Sequence, residues 1–121
     1  MKYFRLYADK DGESHVEAVQ AKFDMAEYAP PAPAFGISEA RDAARYIMVH
    51  FPAGWTSELH PAPRRQVFVM LSGHFEAQAS DGTRMDLKPG DVVLMEDTTG
   101  KGHTARTLDG EEVHAMMVHL E

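Results

Sequence analysis

Short runs of alternating apolar and polar residues make up most of this chain, and turn residues separate them. Tyr3-Phe4-Arg5-Leu6-Tyr7-Ala8 alternates weakly and is rich in aromatic residues, which predicts a strand. Asp9-Lys10-Asp11-Gly12 supplies an Asp-Gly turn. Ser14 to Ala21 then fits a hairpin partner or a short helix, and the turn before it favours the strand. His15 and Glu17 would share one face of that strand as solvated side chains. Arg45 to Phe51 predicts a strand closed by Pro52-Ala53-Gly54, with His50 near its end. Gln66 to Leu71 is the strongest strand signal. Gln66, Phe68 and Met70 share one face, and Val67, Val69 and Leu71 share the other. A strand apolar on both faces is expected to be covered on both sides.

The remaining strands come at short intervals. His74 to Ala79 and Thr83 to Leu87 flank the hairpin turn Ser80-Asp81-Gly82. Val92 to Met95 comes after the turn Lys88-Pro89-Gly90-Asp91. A polar loop, Glu96 to His103, leads to Thr104–Leu108, and Glu112 to Leu120 is the last strand. Such spacing predicts an all-β sandwich or barrel. Two stretches break the pattern. Glu27 to Phe35 carries Pro30, Pro31 and Pro33 and predicts extended, irregular chain, a linker or clasp. Ile37 to Ala44 fits one helical turn capped by Ser38.

Composition narrows the function classes. The 121 residues suffice for one core, and one domain over 1–121 is expected. Net charge is −7, which disfavours nucleic acid as a partner because phosphates need a basic face. No apolar run reaches membrane-spanning length, so no membrane partner is expected. The N-terminus lacks the apolar region of a secretory signal, so a cytoplasmic location is expected. The absence of cysteine excludes disulfides and thiolate chemistry. With seven histidines present, a transition-metal site would use imidazole, carboxylate, amide oxygen or water.

The stretch from Gly54 to Gly73 organises the chemistry. Gly54 is followed after five residues by His60, then by Gln66, six further residues and Gly73. Downstream, Pro89-Gly90-Asp91 opens an apolar run, and His103 lies beyond it. These two segments resemble the two motifs of the cupin superfamily, over about residues 45–120, with residues 1–44 forming N-terminal strands and the proline-rich segment. The first motif places a second histidine where Ala62 stands and a glutamate where Gln66 stands. The second has a proline at Glu96 and a shorter loop before its histidine. The match is closest to a subgroup of small, single-domain, RmlC-like cupins of unassigned function.

The resemblance implies a double-stranded β-helix, or jelly-roll barrel, with the N-terminal strands packed on the barrel or exchanged in a homodimer. It implies a small-molecule site in the barrel mouth. His60, His103 and Gln66 would hold a divalent transition metal there: iron, manganese, nickel or zinc. Gln66 removes the negative charge that the usual carboxylate supplies, and Ala62 removes a ligand. His50, His74, His114 or Glu96 could replace them. Phe68 and Met70 would continue the inner face as ligand-binding residues, and Trp55 would lie over the ligand or serve as a partly buried loop anchor. Arg64 offers a guanidinium for an anion, or is solvated or ion-paired like Arg65. His114 and His119 are five apart and must face opposite ways. The resemblance is compatible with two functions: a metal-dependent oxygenase or isomerase, and a metal-free ligand-binding or sensory module. A metal-free epimerase with His60 as base would need an acid partner that no local pattern identifies.

Overall fold

The computed structural model describes residues 1–121. Its elements are β1 (Lys2–Ala8), β2 (Ser14–Gln20), β3 (Asp24–Ala26), β4 (Phe35–Ile37), β5 (Arg45–Phe51) and β6 (Gln66–Ser72), then β7 (Phe75–Ala79), β8 (Arg84–Leu87), β9 (Val92–Glu96), β10 (His103–Thr107) and β11 (Val113–His119). There is no helix, and no segment is a helix long and apolar enough to cross a membrane.

A six-stranded sheet runs in the order β2-β1-β9-β6-β11-β5, and a three-stranded sheet in the order β10-β7-β8. The two form a jelly-roll barrel whose inner faces meet in the core. Strict alternation decides which side chains enter it. On β6, Gln66, Phe68 and Met70 are buried, whereas Val67 and Val69 are half-buried and Leu71 is exposed. Phe75, Ala77 and Ala79 of β7 and Met85 and Leu87 of β8 are buried opposite them. The N-terminal strands extend the larger sheet within the chain: β1 pairs with β2 antiparallel and with β9 parallel. Leu6, beside Met95 in that register, is 1% exposed and closes the core there.

Ser14–Gln20 is the strand that the turn before it favours, paired with β1 as a hairpin. Elsewhere the structure differs from expectation. Residues 38–44 make no helical turn: Ser38 Oγ donates to the Glu39 carbonyl instead of capping a helix. The proline-rich segment is the loop of a small hairpin, β3 with β4, which forms its own two-stranded sheet. A further difference concerns β6, whose outer apolar face is only partly covered within the chain: Val67 and Val69 are half-buried and Leu71 is exposed.

The connection between β5 and β6 carries the first motif. It lies against β10 through two isolated bridges, Thr56 with Arg106 and His60 with His103. At the second, each backbone N–H donates to the other residue's carbonyl at 3.0 Å. Gly102, with φ of +74°, lies so close to His60 O and Pro61 N that a side chain would overlap them. Ser14 braces the same loop from below: fully buried, it accepts the Ser80 N–H at 2.7 Å and donates to Gly102 O at 2.6 Å.

Candidate functional site

The barrel encloses a cavity of about 190 Å³ lined by 16 residues, 12 of them hydrophobic. Its polar lining consists of His60, Gln66 and His103. The apolar wall includes Phe51, Trp55, Phe68 and Phe75, which form one aromatic cluster with centroid distances of 4.7 Å for Phe51–Trp55 and 4.8 Å for Phe51–Phe75. Met85, Leu87 and Val93 are buried and line the cavity's interior, while His60 is exposed and marks the mouth. An apolar cavity of about 150 Å³ accommodates benzene, so this one suits a ligand of about single-ring size.

The backbone bridge sets the His60 and His103 rings 4.6 Å apart, tilted by 52°. Each ring is anchored through Nδ1. His60 Nδ1 donates to the Glu58 carbonyl at 2.8 Å. His103 Nδ1 lies 2.6 Å from Asp97 Oδ2. Such bonds fix the tautomer and leave each Nε2 with a lone pair. Asp97 is completely buried, and its other oxygen, Oδ1, has no hydrogen-bond partner. Gln66 is 2% exposed, and its amide makes one weak contact, Nε2 to Met95 Sδ at 3.8 Å. The amide is therefore nearly free to bind something in the cavity.

Of the residues singled out from sequence, His60, Gln66, His103, Trp55 and Phe68 line the cavity. Two do not. Met70 is on the inner face at 1% exposure but is packed in the core away from the lining. Arg64 is exposed and outside the lining, because it sits just before β6 where the chain is still on the surface. Arg65 pairs with Glu96 at 2.9 Å and Glu121 at 2.8 Å. Glu96 is thereby occupied, since Arg5 also holds it at 2.6 Å. Burial resists the Glu96 charge, but the two guanidinium groups outweigh it and hold the carboxyl below its usual range.

None of the proposed replacements reaches the mouth. His74 is held outside by Asp109 at 2.7 Å and by Asp86. His50 and His114 face each other across β5 and β11 on the outer surface, stacked at 5.0 Å. With Glu112, they place three potential ligand atoms within 4.8 Å of one another, so this exposed group can hold a metal ion apart from the cavity. His119 faces inward, opposite Gln66, as its parity with His114 requires. Burial, then the charges of Arg64 and Arg45, push its pKa down.

Sequence reasoning missed Asp97. A signal was present: Val93, Met95 and Asp97 alternate, so Asp97 continues the inward row of β9 past its end.

Two facing sheets around an apolar cavity with imidazoles at its mouth make a small jelly-roll β-barrel. The Cupin domain model matches residues 47–119, and this chain belongs to the cupin family. No curated protein matches the sequence. Among solved structures, it is similar to a Cupin 2 conserved barrel domain protein from Salinispora arenicola, with a TM-score of 0.53 and 16% identity over 84% of this chain and 76% of the other. It is similar to the Cnp3 cupin domain of Schizosaccharomyces pombe, with a TM-score of 0.51 and 16% identity over 98% and 86%. It also resembles a protein described as a predicted oxalate decarboxylase from Thermotoga maritima, with a TM-score of 0.51 and 13% identity over 84% and 95%. At such identities the likeness concerns the fold.

Proposed function

We propose that the cavity binds one small, largely apolar organic molecule whose polar end meets a divalent transition metal held by His60, His103 and Gln66. The observation that carries this reading is the shared anchoring of the two imidazoles. Metal-binding histidines donate their second ring N–H to a carboxylate or a backbone carbonyl. Here one does each, through Asp97 and Glu58. The donor set fits iron, manganese, nickel or zinc, with water completing the shell. Gln66 brings no charge, but Asp97 returns one negative charge just behind His103.

When bound, the metal would polarise a substrate oxygen or bind dioxygen, the chemistry of an isomerase or an oxygenase. The chain's own residues do the rest. The aromatic wall excludes water and orients the apolar body of the ligand. Gln66 offers an amide to its polar end. With no metal on it, His103 Nε2, backed by Asp97 at Nδ1, can hold a proton as it passes to or from the ligand. That last feature also supports a second reading, a metal-free site in which the Asp97–His103 pair acts alone.

Elemental analysis of untagged protein tests the proposal, provided that the surface group is silenced. In a His50→Ala/His114→Ala background, near-stoichiometric metal is expected, and His60→Ala and His103→Ala each remove it. Failure to load iron, manganese, nickel or zinc in that background would overturn the metal reading. Thermal stabilisation by small ligands that survives chelator would then favour the metal-free one.

A further inference from the structure

Strand register puts Met95, Gln66, His119 and Arg45 in one row across β9, β6, β11 and β5. Cross-strand partners share a face of the sheet, and Gln66 and His119 are buried on the inner one. The row therefore leads from Gln66 in the cavity wall, through His119, to Arg45 on the edge strand. Arg64 reaches the same corner from the β6 side. Leu120 N–H donates to the Arg65 carbonyl at 3.1 Å, and Ala44 N–H donates to the His119 carbonyl at 2.8 Å. The segments that carry both arginines are thus tied to the end of β11.

Two features set this corner apart. His119 is only 9% exposed, and its Nδ1 is buried with no hydrogen-bond partner. Buried polar atoms are nearly always satisfied, so an unpaired one beside a cavity marks a place for a ligand. Secondly, Arg45 and Arg64 take part in none of the ion pairs, whereas Arg5, Arg65 and Arg106 each bond a carboxylate. Carboxylates are not scarce, since 19 acidic residues face 12 basic ones. Both guanidinium charges act on the imidazole: after burial, Arg64 and then Arg45 push its pKa down. The ring is thereby kept neutral, with one N–H left to donate.

We infer that Arg45, Arg64 and His119 form an anion-binding rim beside the cavity, and that the ligand is a small organic acid with its carboxylate on this rim and its apolar body against the aromatic wall. Guanidinium groups bind carboxylates through paired, charge-assisted hydrogen bonds, and the His119 N–H adds a neutral donor. Adjacent strands lie about 4.8 Å apart, so the rim begins roughly one strand spacing from Gln66 and ends roughly two away. A carboxylate on a single ring, or on a short chain attached to one, spans that distance. A net charge of −7 opposes a dianion more than a monoanion, which favours a carboxylate over a phosphate. The inference rests on the reading of the cavity as a ligand site and not on the metal.

Isothermal titration calorimetry on protein stripped with chelator and dialysed tests it, with benzoate, phenylacetate and phenylpropanoate each set against its own amide. At least one acid is expected to bind about tenfold tighter than its amide. Arg45→Gln/Arg64→Gln should bring that acid down to the affinity of the amide and leave the amide unchanged. Both side chains are exposed and unpaired, so this variant should melt like wild type. Amides that bind as well as the acids would overturn the rim and leave the cavity reading standing. Binding of neither acids nor amides would overturn the cavity reading and the rim with it. An acid preference that survives in the double variant would overturn the assignment to these arginines. Phenyl phosphate, titrated alongside, would overturn the carboxylate if it bound more tightly than every acid.

Discussion

Asp97 lies directly behind His103. Its Oδ2 is 2.6 Å from His103 Nδ1, and the two side chains are 0% and 6% exposed. The pair is the only buried carboxylate–imidazole contact in the molecule, and its imidazole lines the cavity beside that of His60. Asp97→Asn retains the shape and an acceptor for Nδ1 but removes the charge. Loss of such a supporting carboxylate lowers metal affinity by about 10–100-fold, and that fall is expected in a metal titration. Asp97→Ala leaves the buried Nδ1 donor unpaired as well, at a cost of about 1–3 kcal/mol, which a denaturant melt would read. Unchanged affinity in the Asn variant would reduce Asp97 to a structural role.

Gln66→Glu should move two quantities in opposite directions. The new carboxylate would add negative charge beside His60 and His103, so metal affinity should rise. In the metal-free protein the same carboxylate would be buried where the present amide has only a weak contact to Met95 Sδ, and it would have a counter-charge only if a neighbouring imidazole, such as His119 opposite it, took up a proton. Burying an unpaired charge is unfavourable, so the melting temperature of the metal-free variant should fall at neutral pH and recover on loading. A variant with unchanged metal affinity would argue that Gln66 takes no part in the shell.

Gly102 fixes how closely the first-motif segment approaches β10. A Cβ at this position would overlap the His60 carbonyl and the Pro61 nitrogen, both backbone atoms that cannot swing away. Gly102→Ala should therefore break the His60–His103 bridge and abolish the site together with a large loss of stability. Gly82→Ala is the control. Gly82 has φ of +93° but open space around it, so only the backbone conformation is penalised, at about 1–2 kcal/mol. Comparing the two melts isolates the contribution of close packing at the site.

The strand pattern was legible wherever alternation met a turn. Arg45–Phe51 has the boundaries that the sequence suggests, and Gln66 begins the strand that the alternation of Gln66, Phe68 and Met70 with Val67, Val69 and Leu71 predicts. The β3–β4 arm was not legible, because its strands are three residues each and prolines lie between them. Too few residues alternate there to distinguish a hairpin from irregular chain. Ser38 looked like a helix cap because capping chemistry is local, but residues 39–44 have no apolar stripe to bury and form no helix. In the site, His60, Gln66 and His103 were indicated by the resemblance to the cupin motifs. For Asp97, alternation with Val93 and Met95 marks an inward side chain, but its partner is chosen by the fold of the Glu96–His103 loop. Met70 had the right parity but the wrong depth, a distinction that period-two reasoning cannot make.

Two surface imidazoles should give this protein a stability that declines with rising pH. His15 is hydrogen-bonded to Asp9 at 2.7 Å and to Asp81 at 2.8 Å, and His74 to Asp109 and Asp86. The bond to Asp9, then that to Asp81, raises the His15 pKa, and the bond to Asp109, then that to Asp86, raises that of His74. In the unfolded chain both titrate near about 6.5. Their stabilisation is complete below that value and is lost as pH rises through the higher folded values. His119 acts in the opposite sense. Burial, followed by Arg64 and Arg45, depresses its pKa, so its neutral form contributes stability above about 6.5 that is lost as pH falls through the depressed value. The melting temperature should therefore fall from mildly acid toward alkaline pH, and His15→Asn/His74→Asn should flatten that limb. His119→Gln should flatten the acid side of the curve instead. A wild-type profile level across neutrality, or one unchanged in the double variant, would show that the two aspartate-bridged histidines contribute nothing to folding.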